Sequence, residues 1–247
     1  MKTASLIAAS ALLLAGIANA AEIRVGSTQA TEEAYKELIP QFEKASGHKV
    51  TTVFTGTLDL QKRIASGEKY DLLIMAGPAI DDYIKAGTVV AGSRVDLAKS
   101  GVAAAVPKGA QKFDISSVDA LKKTLLTAKS IGYSTGPSGV YLVTMFQKLG
   151  VSAEVTPKLK QTPSGVFVGN LIANREVEIG FQQVSELSLF PGVDYLGPLP
   201  DAVQQITVFS AGLAAGAKEA EAAKALVKFI TAPAAATAYK KRGLEPG

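Results

Sequence analysis

Helix-like and strand-like segments alternate along most of the chain. Tyr35, Leu38 and Phe42 recur at helical spacing within residues 31–46, whereas the continuous apolar run at 71–75 is typical of a buried strand. This alternation predicts an α/β fold with mostly parallel strands. The predicted strands are 22–26, 49–54, 71–75, 102–106, 130–133, 178–181, 193–196 and 206–211, and the predicted helices are 31–46, 58–65, 80–85, 118–125, 140–149, 165–174, 217–230 and 233–241.

The first 20 residues have the pattern of a cleavable export signal. Met1-Lys2 gives a positive start, residues 5–17 form an apolar run, and Ala18-Asn19-Ala20 fits the small-x-small cleavage rule. A membrane anchor is the alternative, but the run is shorter than the roughly 20 apolar residues that span a bilayer. We therefore expect cleavage after Ala20 and a protein that works in the periplasm.

Composition excludes several classes of function. The chain has no Cys, so it can form no disulfide and use no thiol chemistry. It has one His, His48, which is too few for a histidine-based metal site. Trp is absent and aromatic residues make up 6%, which does not favour a nucleic-acid platform. We expect no metal, no cofactor and no nucleic-acid partner. The net charge of +4 is compatible with a small anionic ligand.

Three predicted strands end in loops of the same kind, each with Gly or hydroxyl residues before a helix. Free backbone N–H groups, the positive end of a helix dipole and hydroxyl donors together suit an anion. Such loops line the ligand crevice at the carboxyl ends of parallel strands. Helix capping alone is the alternative explanation of each loop. The predicted ligand-binding residues are Ser27, Thr28 and Gln29, then Thr55, Gly56 and Thr57, and then Ser138, Gly139 and Val140.

Two further segments are predicted to face the same crevice. Residues 162–166 open a predicted helix and contain Gly165. Gln182 and Gln183 follow a predicted strand, and their amides can both donate and accept hydrogen bonds. An ordinary polar loop is the alternative in both cases. No loop matches a P-loop or a dinucleotide-binding fingerprint.

Several stretches together resemble the periplasmic molybdate-type solute-binding family, which has a type II periplasmic binding fold. Residues 54–76, with Asp71-Leu72-Leu73-Ile74, are similar to that family's second strand, helix and third strand. Pro137-Ser138-Gly139-Val140-Tyr141 resembles its PAGxY turn, and residues 223–243 resemble its closing helix pair. The resemblance covers essentially the whole mature chain.

The resemblance implies two α/β lobes joined by two crossing strands, here 102–106 and 206–211. Lobe 1 would comprise residues 21–103 and 207–247, and lobe 2 would comprise 104–206. A ligand would bind between the lobes, which would close around it by hinge bending. An ABC permease in the inner membrane would then collect the closed form of a monomeric binding protein.

The resemblance implies that positions contacting the oxyanion in the family correspond to Thr57, Ser138 and Gly165, and these residues can make the same hydroxyl or backbone contacts. Such positions also correspond to Ala30, which has no hydroxyl, and to Gln183 in place of a tyrosine. These two departures favour a larger or multi-carboxylate anion over molybdate.

The chain is also similar to aconitate isomerases, which look like the same periplasmic fold adapted to catalysis. Such a reaction shifts a proton on an unsaturated tricarboxylate and needs anion donors with one acid/base group. Tyr141, Glu186 and Glu32 are candidate proton carriers, and the sequence does not select among them. Three functions therefore remain open: a binding protein that serves an ABC importer, a periplasmic isomerase, and a sensor that presents its ligand to a membrane receptor.

Overall fold

A computed structural model describes residues 20–247. The predicted export signal lies outside the described residues, apart from Ala20. Within residues 20–247, no helix combines the length and apolar character that crossing a membrane requires.

Strands and helices alternate as predicted. The strands are β1 (Glu22–Thr28), β2 (Lys49–Thr55), β3 (Leu72–Ala76), β4 (Val95–Ser100), β5 (Val102–Pro107), β6 (Ile131–Tyr133), β7 (Leu159–Gln161), β8 (Ile179–Gln183), β9 (Val193–Pro198), β10 (Thr207–Leu213) and β11 (Glu245–Pro246). The helices are α1 (Glu32–Ser46), α2 (Thr57–Ala65), α3 (Gly77–Lys85), α4 (Val118–Thr127), α5 (Pro137–Lys148), α6 (Ser152–Val155), α7 (Val168–Ala173), α8 (Val184–Leu187), α9 (Ala220–Ile230) and α10 (Ala236–Lys241).

The strands form two mixed sheets. The first has the order β11-β4-β10-β3-β1-β2 and the second the order β7-β6-β8-β5-β9. In the first sheet β1 runs parallel to β2 and β3, and in the second β6 runs parallel to β7 and β8. Each sheet therefore gathers the carboxyl ends of three parallel strands at one edge. Together with its helices, this arrangement confirms the predicted α/β fold. The expectation of mostly parallel strands is wrong, because β5, which enters the second sheet, and β10, which returns to the first, pair only antiparallel with their neighbours.

Each sheet has its own hydrophobic core. Tyr35 and Phe42 of α1 pack with Phe209 of β10 beside the first sheet, and all three are at most 2% exposed. Phe146 of α5 packs with Phe181 of β8 beside the second sheet. Burying an aromatic side chain of this size contributes about 1.5–3 kcal/mol, so each sheet is stabilised by its own helices.

The chain passes between the sheets twice. Gly101 alone separates β4 of the first sheet from β5 of the second. Residues 199–206 lead back from β9 to β10. The Gln204 side chain fastens this return segment, because it accepts a hydrogen bond from the Val102 N–H at 2.7 Å and donates to the Val102 carbonyl oxygen at 3.0 Å.

Several predicted helix starts differ from the structure by three residues. Among them, α3 begins at Gly77 instead of Ile80, α9 at Ala220 instead of Ala217, and α10 at Ala236 after a 3-10 turn at Pro233–Ala235. The helix expected from Gly165 begins at Val168, because Gly165 has a left-handed φ of 78° and forms a turn. The helix expected from Val140 begins at Pro137, whose fixed φ suits the first helical position. Five short elements have no counterpart in the prediction: β4, β7, β11, α6 and α8.

Candidate functional site

The strand-end loops of the two sheets face each other. Thr28 and Thr55 are register partners at the ends of β1 and β2. Across from them lie the loops that follow β6 and β7, and the hydroxyl of Ser164 lies 2.8 Å from that of Thr55. Residues 27–31 and 55–57 on one side, and 134–139 and 162–166 on the other, line what we call the cleft.

The loop after β1 leaves one buried hydroxyl without a partner. Ser27 and Thr31 satisfy each other, since their hydroxyl oxygens lie 3.0 Å apart. The Thr28 hydroxyl is buried, and no group among the described residues hydrogen-bonds to it. Gln29, the third predicted residue of this loop, begins a short 3-10 turn that leads into α1.

The loop after β2 repeats this arrangement. The Thr55 hydroxyl donates to the Asp59 carboxylate at 2.8 Å. The Arg63 guanidinium, together with Thr55, holds the pKa of Asp59 below its usual value, so Arg63 is engaged on the surface of α2. Thr57 begins α2, and its buried hydroxyl also has no partner within residues 20–247.

The loop after β6 is built around a close backbone contact. A Cβ atom on Gly139 would lie 1.8 Å from the carbonyl oxygen of Ser134, so this position accepts only glycine. Ser138 is buried, with its hydroxyl 3.4 Å from that of Ser134. The third predicted residue, Val140, differs: its side chain is 53% exposed, and its N–H donates to the Gly136 carbonyl oxygen.

The loop after β7 closes the cleft from the second sheet. Ser164 accepts a hydrogen bond from the Gly56 N–H at 3.3 Å, in addition to its contact with Thr55. Gly165 lies against the end of β2, where an added Cβ would be 3.9 Å from the Phe54 carbonyl oxygen. Thr162 lies in the segment predicted to face the crevice, although it was not among the predicted ligand-binding residues. It contributes a third buried hydroxyl that has no partner in the described chain.

Both predicted glutamines are already engaged by protein groups. The Gln182 side-chain oxygen accepts a hydrogen bond from the Val168 N–H at 2.7 Å and thereby caps α7. The Gln183 amide is satisfied when its nitrogen donates to the carbonyl oxygens of Ser100 and Gly101 and its oxygen accepts from the Thr207 hydroxyl. Gln183 therefore lies at the crossings between the sheets. The sequence showed only two adjacent glutamines at the end of a strand, and this pattern does not indicate such a position.

Glu186 is the candidate proton carrier with an unusual environment. Burial raises its pKa to about 8, and the nearby charge of Glu32 contributes, although the Gln183 N–H donates to its carboxylate at 3.1 Å and opposes the rise. Glu32 also forms an ion pair with Lys36 at 2.8 Å. The Tyr141 hydroxyl donates to the Val203 carbonyl oxygen, and burial raises the pKa of Tyr141.

A pocket of about 290 Å³ lies beside Glu186 and is lined by residues from the helices and loops of both sheets. Gln29 is the one predicted ligand-binding residue that lines it. Ser185 and Arg242 line it too, although neither was among the predicted ligand-binding residues. In the sequence, Arg242 ends a basic triplet, Lys240-Lys241-Arg242, at the end of a predicted helix, where cations suit the helix dipole. That local pattern could not predict its proximity to α8.

Taken together, the cleft offers neutral hydrogen-bond donors. The unpartnered hydroxyls of Thr28, Thr57 and Thr162 lie in or beside the loops that face each other. An unsatisfied buried hydroxyl costs about 1–3 kcal/mol, which an acceptor-rich anion would offset. Among residues 20–247 no three acidic or histidine side chains gather in a way that could hold a metal ion.

Comparison with known proteins agrees with this geometry. The family described as bacterial extracellular solute-binding protein matches residues 23–245. Aconitate isomerase of Pseudomonas sp. is 37% identical over 217 residues, covering 85% of this chain and 82% of that protein. The molybdate-binding protein ModA of Azotobacter vinelandii is 30% identical over 245 residues, covering 96% of this chain and 95% of that protein.

A solved structure shares the fold over nearly its whole length. The periplasmic molybdate-binding protein of Azotobacter vinelandii superposes with a TM-score of 0.76 at 18% identity, covering 91% of this chain and 99% of that one. At this identity the superposition shows only that the two proteins share a fold of two sheets with their helices.

Proposed function

The chain belongs to the bacterial extracellular solute-binding protein family, and from that premise we propose that it captures a small anion in the cleft between its two sheets. The ligand is an oxyanion or an organic carboxylate. The observation that carries this proposal is the set of buried, unpartnered hydroxyls of Thr28, Thr57 and Thr162. Neutral donors at strand ends and helix starts suit an anion whose charge the protein does not need to neutralise fully.

The two lobes of the proposed protein are residues 21–103 with 207–247, and residues 104–206. The crossings at Gly101 and 199–206 support this division to within two residues, because each sheet keeps its own core on either side of them and residues 102–103 already pair with β8 of the second sheet. Closure of one lobe on the other would bring the ligand's second side into contact with the loops at 134–139 and 162–166. The predicted contacts at Ser138 and Gly165 belong to that second side.

The proposed setting is the periplasm. The predicted signal at residues 1–20 supports export, and the family supports work outside the cytoplasm. In this role the closed protein, as a monomer, would deliver its anion to an ABC permease.

Isothermal titration of the purified mature chain tests the binding function. A panel of molybdate, sulfate, tricarballylate and cis-aconitate covers inorganic oxyanions and organic polyacids. The proposal expects saturable binding of at least one of these anions at one site per chain. A folded protein that binds none of them would contradict it.

A second candidate function is isomerisation of an unsaturated polycarboxylate. Two observations favour it: the 37% identical relative is an aconitate isomerase, and the pKa of Glu186, beside the cleft, is raised to about 8. In such a reaction a base takes a proton from one carbon, the double bond moves, and the proton is delivered to another carbon of the same molecule. Glu186 can exchange protons near neutral pH, which an ordinary glutamate does poorly.

Incubation with cis-aconitate distinguishes the two functions. Chromatography would follow the trans isomer in samples of the wild-type protein and of Glu186→Gln. Isomerase function expects conversion by the wild type and a loss of at least about 100-fold in the variant, which keeps the shape of the side chain but cannot exchange the proton. Binding without any conversion leaves the chain a binding protein alone.

A further inference from the structure

The pocket beside the cleft closes between elements of both sheets. Gln29, Glu33 and Arg242 line it from the side of the first sheet, and Ser185 and Glu186 line it from the second. Its volume of about 290 Å³ approaches the lower end of ordinary small-molecule sites, about 300 Å³. Gln29 belongs to the loop after β1 that also carries Thr28, so the pocket adjoins the cleft at this loop.

Arg242 brings an incompletely paired guanidinium to this pocket. Its Nε atom is buried, and no acceptor for it exists among the described residues. The nearest carboxylate, that of Glu33, lies 3.9 Å from Nη1, and Glu33 forms a shorter ion pair with Lys36 at 2.8 Å. Arginine binds carboxylates best through two parallel N–H donors, and here one of those donors is unused.

Ser185 supplies a second unused donor. Its hydroxyl is buried without a partner in residues 20–247. It lies in the first turn of α8, two residues after Gln183. The pocket wall beside it is apolar, because Phe167 and Phe190 pack with their ring centroids 5.9 Å apart. A cation and a hydroxyl against an aromatic wall match a carboxylate on a short carbon frame. Of the two acidic side chains that also line the pocket, Glu33 is paired with Lys36, and burial raises the pKa of Glu186 to about 8, so Glu186 is mostly protonated at neutral pH.

We propose that this pocket is a second anion subsite, where Arg242 and Ser185 hold a carboxylate arm of an organic ligand whose other anionic group binds in the cleft. The inference rests on the proposed anion-binding function and narrows the ligand to organic polyacids. A tetrahedral inorganic oxyanion is too compact to occupy both places, so it would use the cleft hydroxyls and leave Arg242 unsatisfied.

Titration calorimetry with tricarballylate, a saturated tricarboxylate that cannot be isomerised in place, tests the subsite. Arg242→Gln is expected to weaken its binding by about 10- to 100-fold, because a charge-assisted pair is lost. Ser185→Ala is expected to weaken it by about 5-fold or more. Arg242→Lys, which keeps the charge but not the Nε donor, should fall between the wild type and Arg242→Gln.

Lys240→Gln is the matched control, since it removes the same charge from an exposed side chain of α10 that does not line the pocket. It should bind tricarballylate like the wild type, and thermal melts should show that every variant is folded. Molybdate, as a compact probe, should bind the wild type and Arg242→Gln with similar affinity if it binds at all.

The outcomes separate the two proposals. If the wild type binds tricarballylate and folded Arg242→Gln binds it equally well, the subsite is refuted while the anion-binding function stands. The same holds if the wild type binds inorganic oxyanions and no polyacid. A wild type that binds no anion of the panel overturns both.

Discussion

The hydroxyl oxygens of Thr55 and Ser164 lie 2.8 Å apart, although the two residues are 109 positions apart and belong to different sheets. The Gly56 N–H donates to the same Ser164 oxygen at 3.3 Å. Both contacts join strand-end loops that face each other across the cleft. They exist only while the two sheets are close together, so they favour the closed arrangement that a bound ligand would need.

Ser164→Ala is expected to weaken anion binding without weakening the fold. The substitution removes hydrogen bonds that form only on closure, which together contribute about 1 kcal/mol, equivalent to about 5-fold in the dissociation constant. Titration calorimetry measures the affinity. Ser66→Ala is the control, because that exposed hydroxyl donates only to the Arg63 carbonyl oxygen at the end of α2. Equal affinities for both variants would contradict a role of Ser164 in closure.

Gly56→Val is expected to hold the two sheets apart. A Cβ on Gly56 would lie 2.1 Å from the Thr135 hydroxyl oxygen and 3.1 Å from its Cβ, and the branched side chain of valine enlarges this overlap. Small-angle scattering should show no compaction when ligand is added, and affinity should fall by more than 10-fold.

Gly216→Val is the matched control for that substitution. A Cβ on Gly216 meets no atom within 4 Å, so this variant should bind and compact like the wild type. Removing the obstacle in Gly56→Val/Thr135→Gly should restore part of the affinity. If Gly56→Val compacts normally with ligand, the two sheets do not close as this contact requires.

Thr57→Val is expected to lose affinity while keeping or gaining stability. The Thr57 hydroxyl is buried and unpartnered among the described residues, so the folded protein loses no hydrogen bond when it is removed. A bound anion, in contrast, would lose a donor, which should weaken binding by about 5- to 20-fold. Calorimetric titration and urea unfolding measure the two effects separately.

Thr124→Val provides the opposite case. That hydroxyl is also buried, but it donates to the Asp114 carbonyl oxygen at 2.7 Å, away from the cleft. Its removal should lower the free energy of unfolding by about 1 kcal/mol and leave the affinity unchanged. If Thr57→Val destabilises the fold as much as Thr124→Val and binds normally, the Thr57 hydroxyl has a structural role instead.

The strand-end loops could be predicted from the sequence because local chemistry determines them. Hydroxyl and glycine residues between a strand pattern and a helix pattern identify Thr28 and Thr57 without knowledge of the fold. Short elements such as β4 and α8 could not be predicted, since four to six residues carry too little periodicity to be recognised. The roles of Gln183 and Arg242 depend on contacts between distant segments. Gln183 bonds to the crossings at 100–101 and to Thr207, and Arg242 meets α8 from the far end of the chain.

Glu186 is expected to make stability depend on pH in the direction opposite to most acidic groups. Its pKa rises from an ordinary value of 4.5 to about 8 in the folded protein, with burial as the main cause. Between these values the folded chain holds a proton that the unfolded chain has released. The stabilisation is therefore complete below pH 4.5, and it is lost as the pH rises through about 8.

Urea unfolding from pH 5 to pH 9 measures this dependence. Glu186 should lower the free energy of unfolding by up to about 1.4 kcal/mol per pH unit across the interval, and Glu186→Gln should remove that slope. The amide stays neutral and can still accept the Gln183 N–H. Glu221→Gln is the control, because that side chain is 87% exposed and remains in water in both states. In the contrary outcome, the free energies of unfolding of Glu186→Gln and Glu221→Gln both follow the pH dependence of the wild type. Glu186 would then be ionised in the folded protein, and its assignment as a proton carrier would lose its physical basis.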